Sequence, residues 1–131
     1  MRVRFSDRKD GDARASSFLS QERRSPIFPQ QVHSSEVEVV EDCTDQPIYE
    51  CDALLTRVLD TSIGVRIADC VPIALYGSSF SGPAVAVVHA GWRGLQAGIV
   101  AEGVQKIAPN GAPVSAWLGP AICGQCYQVG D

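Results

Sequence analysis

Histidine is almost missing from this chain: 131 residues carry two of them. That scarcity excludes any centre that needs a shell of many imidazoles. A membrane span is missing too, since no stretch approaches the ~20 apolar residues that crossing a bilayer requires. No apolar core follows the charged start, so a secretory signal is not expected and the chain is assigned to the cytoplasm. Cys43, Cys51, Cys70, Cys123 and Cys126 form an odd set without a repeating frame. Such a set suits reduced thiols better than a disulfide scaffold. Basic excess is lacking as well: 15 acidic residues against 11 Lys and Arg give a formal net charge of −4. No overall field exists to attract nucleic acid, and neither nucleic acid nor membrane is expected as a partner.

What is present looks globular. The apolar share is 45% and the charged share 20%, which suits one domain with a real core. Residues 1–30 hold Arg2, Arg4, Arg8, Lys9, Arg14, Arg23 and Arg24, but Asp7, Asp10, Asp12 and Glu22 are mixed among them. They read as a solvated, partly ordered lead-in that ends in Ser25-Pro26-Ile27-Phe28-Pro29. The domain proper is expected over residues 31–131. Glu36 to Glu41 alternates like a strand with one wet face. Pro47 and its polar neighbours make Asp42 to Glu50 a loop. Apolar runs follow at Ala53–Thr56, Ile63–Ile67, Val71–Tyr76 and Ala84–His89, the last two without alternation, as strands buried on both faces would be. Gly77 to Pro83 is a turn. Leu95, Ile99, Val100, Val104, Ile107 and Ala108 recur at helical spacing until Pro109-Asn110-Gly111 stops them. Val114–Leu118 is a further strand. The mixture implies an α/β domain built on a mostly buried sheet.

His33 precedes the first strand, Cys70 lies between two apolar segments, and His89 closes the run Ala84–His89. Two imidazoles and a thiol are a sufficient set for a catalytic zinc, which takes three protein ligands and keeps a fourth position open. Equally, Cys70 and His89 can act as nucleophile and base. Spacing alone leaves the choice open, together with the plain reading of hydrogen-bonded histidines and a small buried cysteine. The passage His89-Ala90-Gly91-Trp92-Arg93-Gly94 runs from strand through turn into helix. Arg93 and the free N–H groups there suit phosphate or carboxylate, and Gly91 and Gly94 let the backbone approach it. Asp52 and Asp69 are the nearest carboxylates, either of which can orient a ligand. Cys123-Gly124-Gln125-Cys126 has redox-like spacing without the early strand such a motif follows.

Five blocks in order carry a resemblance: Gln31-Val32-His33, Cys51 to Thr56, Ala68 to Ile73, Val88 to Gly94, and Gly119 to Gly130. Together they resemble the polyphenol-oxidase (laccase-like) family of purine nucleoside phosphorylases, which includes bacterial peptidoglycan-editing factors. The resemblance implies a layered α/β/α-type fold, a mixed, largely buried sheet flanked by helices, and zinc held by His33, Cys70 and His89, with copper the less suitable ion. It implies phosphorolysis of adenosine, inosine, guanosine and methylthioadenosine, and deamination of adenosine. Cys70, His89, Arg93 and Asp69 are then the catalytic candidates; Arg93, Gly91, Gly94 and Gln31 are those for substrate and phosphate. Ile67 stands where many relatives have Thr, and Gln128 where Glu is usual. Family members continue past Asp131, so an incomplete version of the domain is expected, as a monomer or weak homo-oligomer. A multicopper oxidase fails on histidine count. Type-1 copper takes His₂Cys with a weak axial ligand, and no histidine is left for an oxygen-reducing cluster. Two other activities remain: a cysteine hydrolase or amidase on peptidoglycan precursors, with Cys70 as nucleophile and His89 as base, and a zinc-stabilised module without turnover.

Overall fold

Apolar runs of Val, Ile, Leu and Ala pair here into one mixed five-stranded sheet. Its strands are β1 (Val37–Val40), β2 (Ala53–Thr56), β3 (Val71–Ser79), β4 (Gly82–Ala90) and β5 (Val114–Leu118), in the order β1-β2-β4-β3-β5. A computed structural model describes residues 1–6, 25–42 and 49–129. Strands β1 and β2 run parallel; every other neighbouring pair is antiparallel. Two helices follow β4: α1 (Trp92–Gln96) and α2 (Ile99–Ile107). The α/β class and the mixed, buried sheet are therefore as the sequence pattern implies.

Alternation along the strands divides the core in two. Val37, Leu55, Leu75, Ala86 and Val88 face α2, whose Ile99 and Ile107 are fully buried against them. Leu54 and Val40 point to the opposite face and pack with Ile27 and Cys51. Each buried Val, Leu or Ile among them contributes about 1.5–3 kcal/mol by leaving water. Among the described residues, that second face is covered by Ile27, Tyr49 and Ile63 rather than by a helix. The end of the lead-in is thus part of the core, because Ile27 bridges to Ile63 and is almost fully buried. The remaining Ile63–Ile67 run forms no strand. Its apolar residues line connections instead.

Two expectations are corrected. The turn at Gly77 to Pro83 shrinks to Phe80-Ser81, because β3 and β4 keep pairing as far as Ser79 and Gly82. Hydrophobicity reports burial, and the outer end of this hairpin extends beyond the core on small and polar residues. The single helix starting beside Gly94 is broken at Gly98, whose φ of 88° lies in the left-handed region. Periodicity continues through that break, so the pattern does not reveal it. Leu95 and Val104 are exposed, while Ile99, Gly103 and Ile107 are the buried positions of α2. The charged residues of the lead-in at Arg8, Lys9, Arg14, Arg23 and Arg24 lie outside the described residues. So do Cys43 and the loop around Pro47.

Candidate metal centre and cavity

Sheet register brings the site together. Ala53 pairs with Val88, so Asp52 falls opposite His89, and the His89 N–H donates to the Asp52 carbonyl at 2.7 Å. Val71 pairs with Ala90, which sets Cys70 opposite Gly91. Strand β1 runs parallel to β2, and His33 lies on the approach to it. The starts of β1, β2 and β3 and the end of β4 therefore share one end of the sheet. The ligating atoms of His33, Cys70 and His89 all lie within 4.8 Å of one another there. The two imidazole rings meet edge to face, with centroids 4.9 Å apart.

Asp52 organises this cluster. Its Oδ1 is 2.7 Å from Nδ1 of His89, and both residues are buried, 0% and 4% exposed. A proton on Nδ1 donated to this carboxylate leaves Nε2 as the lone-pair nitrogen. Oδ2 accepts from the Val32 N–H at 3.1 Å, the Ser34 N–H at 2.7 Å and the Ser34 hydroxyl at 3.1 Å. Those donors flank His33, whose φ of 61° is left-handed. One carboxylate thus fixes the ring of one histidine and the backbone that carries the other. Burial pushes the Asp52 pKa upward, but the hydrogen bonds from His89, Ser34 and Val32 outweigh it and hold the carboxyl below the usual range.

Gly91 faces the same cluster. A Cβ at this position would lie 3.2 Å from Cys70 Sγ and 3.2 Å from His33 Cδ2, so any side chain would crowd the ligands. Gly94 has a different task, since a Cβ there would meet the Ser34 carbonyl at 2.9 Å. It lets α1 press on the loop that bears His33.

A cavity of about 380 Å³ opens over the cluster. Arg66, Asp69, Arg93, Tyr127 and Gln128 line it along with the three ligand candidates. The Tyr127 hydroxyl lies 3.4 Å from Cys70 Sγ, and that contact, more than burial, raises the tyrosine pKa. Arg93 stacks on Trp92, with Cζ 4.8 Å from the ring centroid. Three expectations change in detail. Asp52, rather than Asp69, is bonded to a ligand candidate; Asp69 is an exposed wall residue whose backbone carbonyl accepts from the Ile122 N–H at 3.2 Å. Gln31 reaches the cavity, but its amide is taken up by the Arg66 backbone. Helix α1 is five residues long, too short for the summed dipole that an anion site at its start would use. Sequence reasoning missed Arg66 and Tyr127, which no local pattern joins to the histidines. Cys123 and Cys126 share one exposed turn, where their mutual hydrogen bond lowers the pKa of the first and raises that of the second.

Known proteins resemble this chain in sequence and fold. Residues 8–131 match the family model described as multi-copper polyphenol oxidoreductase laccase. The chain is 42% identical to a purine nucleoside phosphorylase of Aquifex aeolicus, over 79% of this chain and 48% of that protein. It is 40% identical to adenosine deaminase RL5 of an unknown prokaryotic organism, over 80% of this chain and 44% of the relative. Among solved structures, protein YfiH of Bacillus licheniformis superposes with a TM-score of 0.66 at 30% identity, covering 77% of this chain and 42% of that one. The chain spans less than half the length of these relatives.

Proposed function

The chain belongs to the multi-copper polyphenol oxidoreductase laccase family, and we propose that it holds zinc through His33, Cys70 and His89 and acts on purine nucleosides. The observation that carries this reading is the convergence of two imidazoles and one thiol within 4.8 Å, with Asp52 behind them. The donor set fits zinc: one soft sulfur, two nitrogens, a carboxylate fixing a tautomer, and a glycine that leaves room for a fourth ligand. Copper fits less well. The single methionine, Met1, is exposed at the chain start, and two histidines cannot build an oxygen-reducing cluster.

When bound, zinc supplies a Lewis acid that lowers the pKa of water at its open position. The protein does the rest. Phosphorolysis breaks the bond between base and C1′ of the ribose while phosphate adds to that carbon, and Arg93 is the group that holds phosphate for it. Deamination needs a proton carrier near purine C6, and Asp69 on the cavity wall is the candidate. The relatives named as a purine nucleoside phosphorylase and an adenosine deaminase support both reactions. Four described cysteines are unpaired, which supports a reducing, cytoplasmic setting. Metal analysis beside an inosine assay run with and without phosphate tests the reading. Cys70→Ala should lose both zinc and turnover; full turnover without metal overturns it.

One observation favours a second reading. Asp52, His89 and Cys70 also lie in the order of a carboxylate, a base and a nucleophile. A cysteine hydrolase or amidase would retain activity after complete chelation and be labelled at Cys70.

A further inference from the structure

Two guanidinium groups line the cavity, and an aromatic ring supports each. Arg66 Cζ sits 4.2 Å over the Phe28 ring, and Arg93 Cζ sits 4.8 Å from the Trp92 ring. Ring contact engages the flat face of a guanidinium and leaves its N–H edges for a ligand. Among the described residues, no carboxylate is ion-paired to either group. Among the described residues, Asp69 supplies the single carboxylate in the cavity wall, against two positive charges.

The backbone under Arg66 is fastened from outside its own segment. Gln31 Nε2 donates to the Arg66 carbonyl at 2.7 Å, and the Arg66 N–H donates to Gln31 Oε1 at 2.7 Å. Both polar atoms of one amide are spent on a residue 35 positions away. Such a double tie costs side-chain freedom, and it fixes the stem of an otherwise exposed arginine. Phe28 then fixes the head. Neither arrangement is needed to pack the core, because Arg66 lies on the surface.

We infer that Arg66 and Arg93 form a paired clamp for a phosphoryl oxyanion at the mouth of the cavity, with Gln31 as the residue that positions Arg66. Planar, bidentate donors suit the tetrahedral face of a phosphate, and two of them discriminate a dianion from a monoanion. This inference rests on the nucleoside reading for the use of the anion, but not for its binding. Inorganic phosphate and the phosphate of a nucleoside monophosphate offer the same chemistry, so both belong in the test.

The experiment is calorimetric titration of the zinc-loaded full chain with inorganic phosphate, with sulfate and with adenosine monophosphate. Arg66→Gln and Arg93→Gln should each weaken phosphate binding by at least about tenfold without lowering zinc content. Arg66→Lys should recover little of the loss, because an ammonium cannot reproduce the fork. Gln31→Ala should weaken phosphate by a smaller factor. Tighter binding of inorganic phosphate than of the monophosphate assigns the clamp to the free ion, and the reverse assigns it to the ester. Wild-type phosphate affinity in Arg66→Gln overturns the inference even when inosine is consumed normally. Arg66-dependent phosphate binding by a chain that consumes no nucleoside upholds the clamp and rejects the nucleoside reading.

Discussion

Asp52 and His89 lie at the paired ends of two central strands, buried and joined at 2.7 Å, whereas His33 and Cys70 sit on connections at the mouth of the cavity. The floor of the site is therefore made by the sheet and the rim by what the sheet leaves over. Burial makes the floor unforgiving: a charge at Asp52 needs all its donors, because removing one partner of a buried pair leaves the other uncompensated. The rim tolerates change. His33 is exposed and held mainly by the backbone around it.

The largest expected effect separates these two regions directly. His89→Ala should lose zinc and also cost the metal-free protein about 3–5 kcal/mol, since Asp52 is left buried without its main partner. His33→Asn, which tolerates the left-handed backbone there, should lose zinc as well, yet shift metal-free stability by less than about 0.5 kcal/mol. Paired urea titrations on chelated protein and metal analysis measure both; equal destabilisation would erase the distinction between floor and rim.

Asp52→Asn sharpens the same contrast through pH. The carboxyl is held below its ordinary pKa, so its stabilisation is complete above the usual carboxylate range and is lost as pH falls through the depressed value. The variant should lack that acid-side slope in unfolding free energy, and its zinc affinity should fall by about 10–100-fold. A wild-type slope in the variant would assign the acid sensitivity elsewhere.

Gly91→Ala probes the space between floor and rim. Its Cβ would press on Cys70 and His33, so zinc affinity should drop by about tenfold while the fold persists, since overpacking costs ~1–3 kcal/mol. The smallest effect is a matter of reactivity. Cys123 and Cys126 should label with a neutral thiol reagent in any state, and Cys70 only after chelation. Cys51 should resist until the protein unfolds, because burial raises its pKa to about 11 and leaves almost no thiolate at neutral pH. Mass spectrometry of the labelled peptides checks that order.

Much of the fold was legible residue by residue. Val71–Tyr76 and Ala84–His89 lacked alternation because both their faces are covered, and Val114–Leu118 ended where Gly119-Pro120 allows no continuation. The helix break at Gly98 was hidden because an amphipathic period survives a one-residue interruption. His33, Cys70 and His89 were legible as chemistry, being scarce and reactive types at the ends of apolar runs. Asp52 was one of two carboxylates with equal claims. Only the antiparallel register of β2 with β4 gives it to His89.

The sequence by itself determined which residues are apolar, where the chain must turn, and that His33, Cys70 and His89 stand among its few nitrogen and sulfur donors. Tertiary structure decided their meeting, because separations of 37 and 19 residues carry no distance until strands choose partners. It also placed Arg66 at the cavity, through a glutamine 35 residues earlier in the chain and a phenylalanine ring. Local pattern records the conformation of neighbours along the backbone; contacts between remote segments are fixed by sheet order and core packing, which no window of the sequence contains.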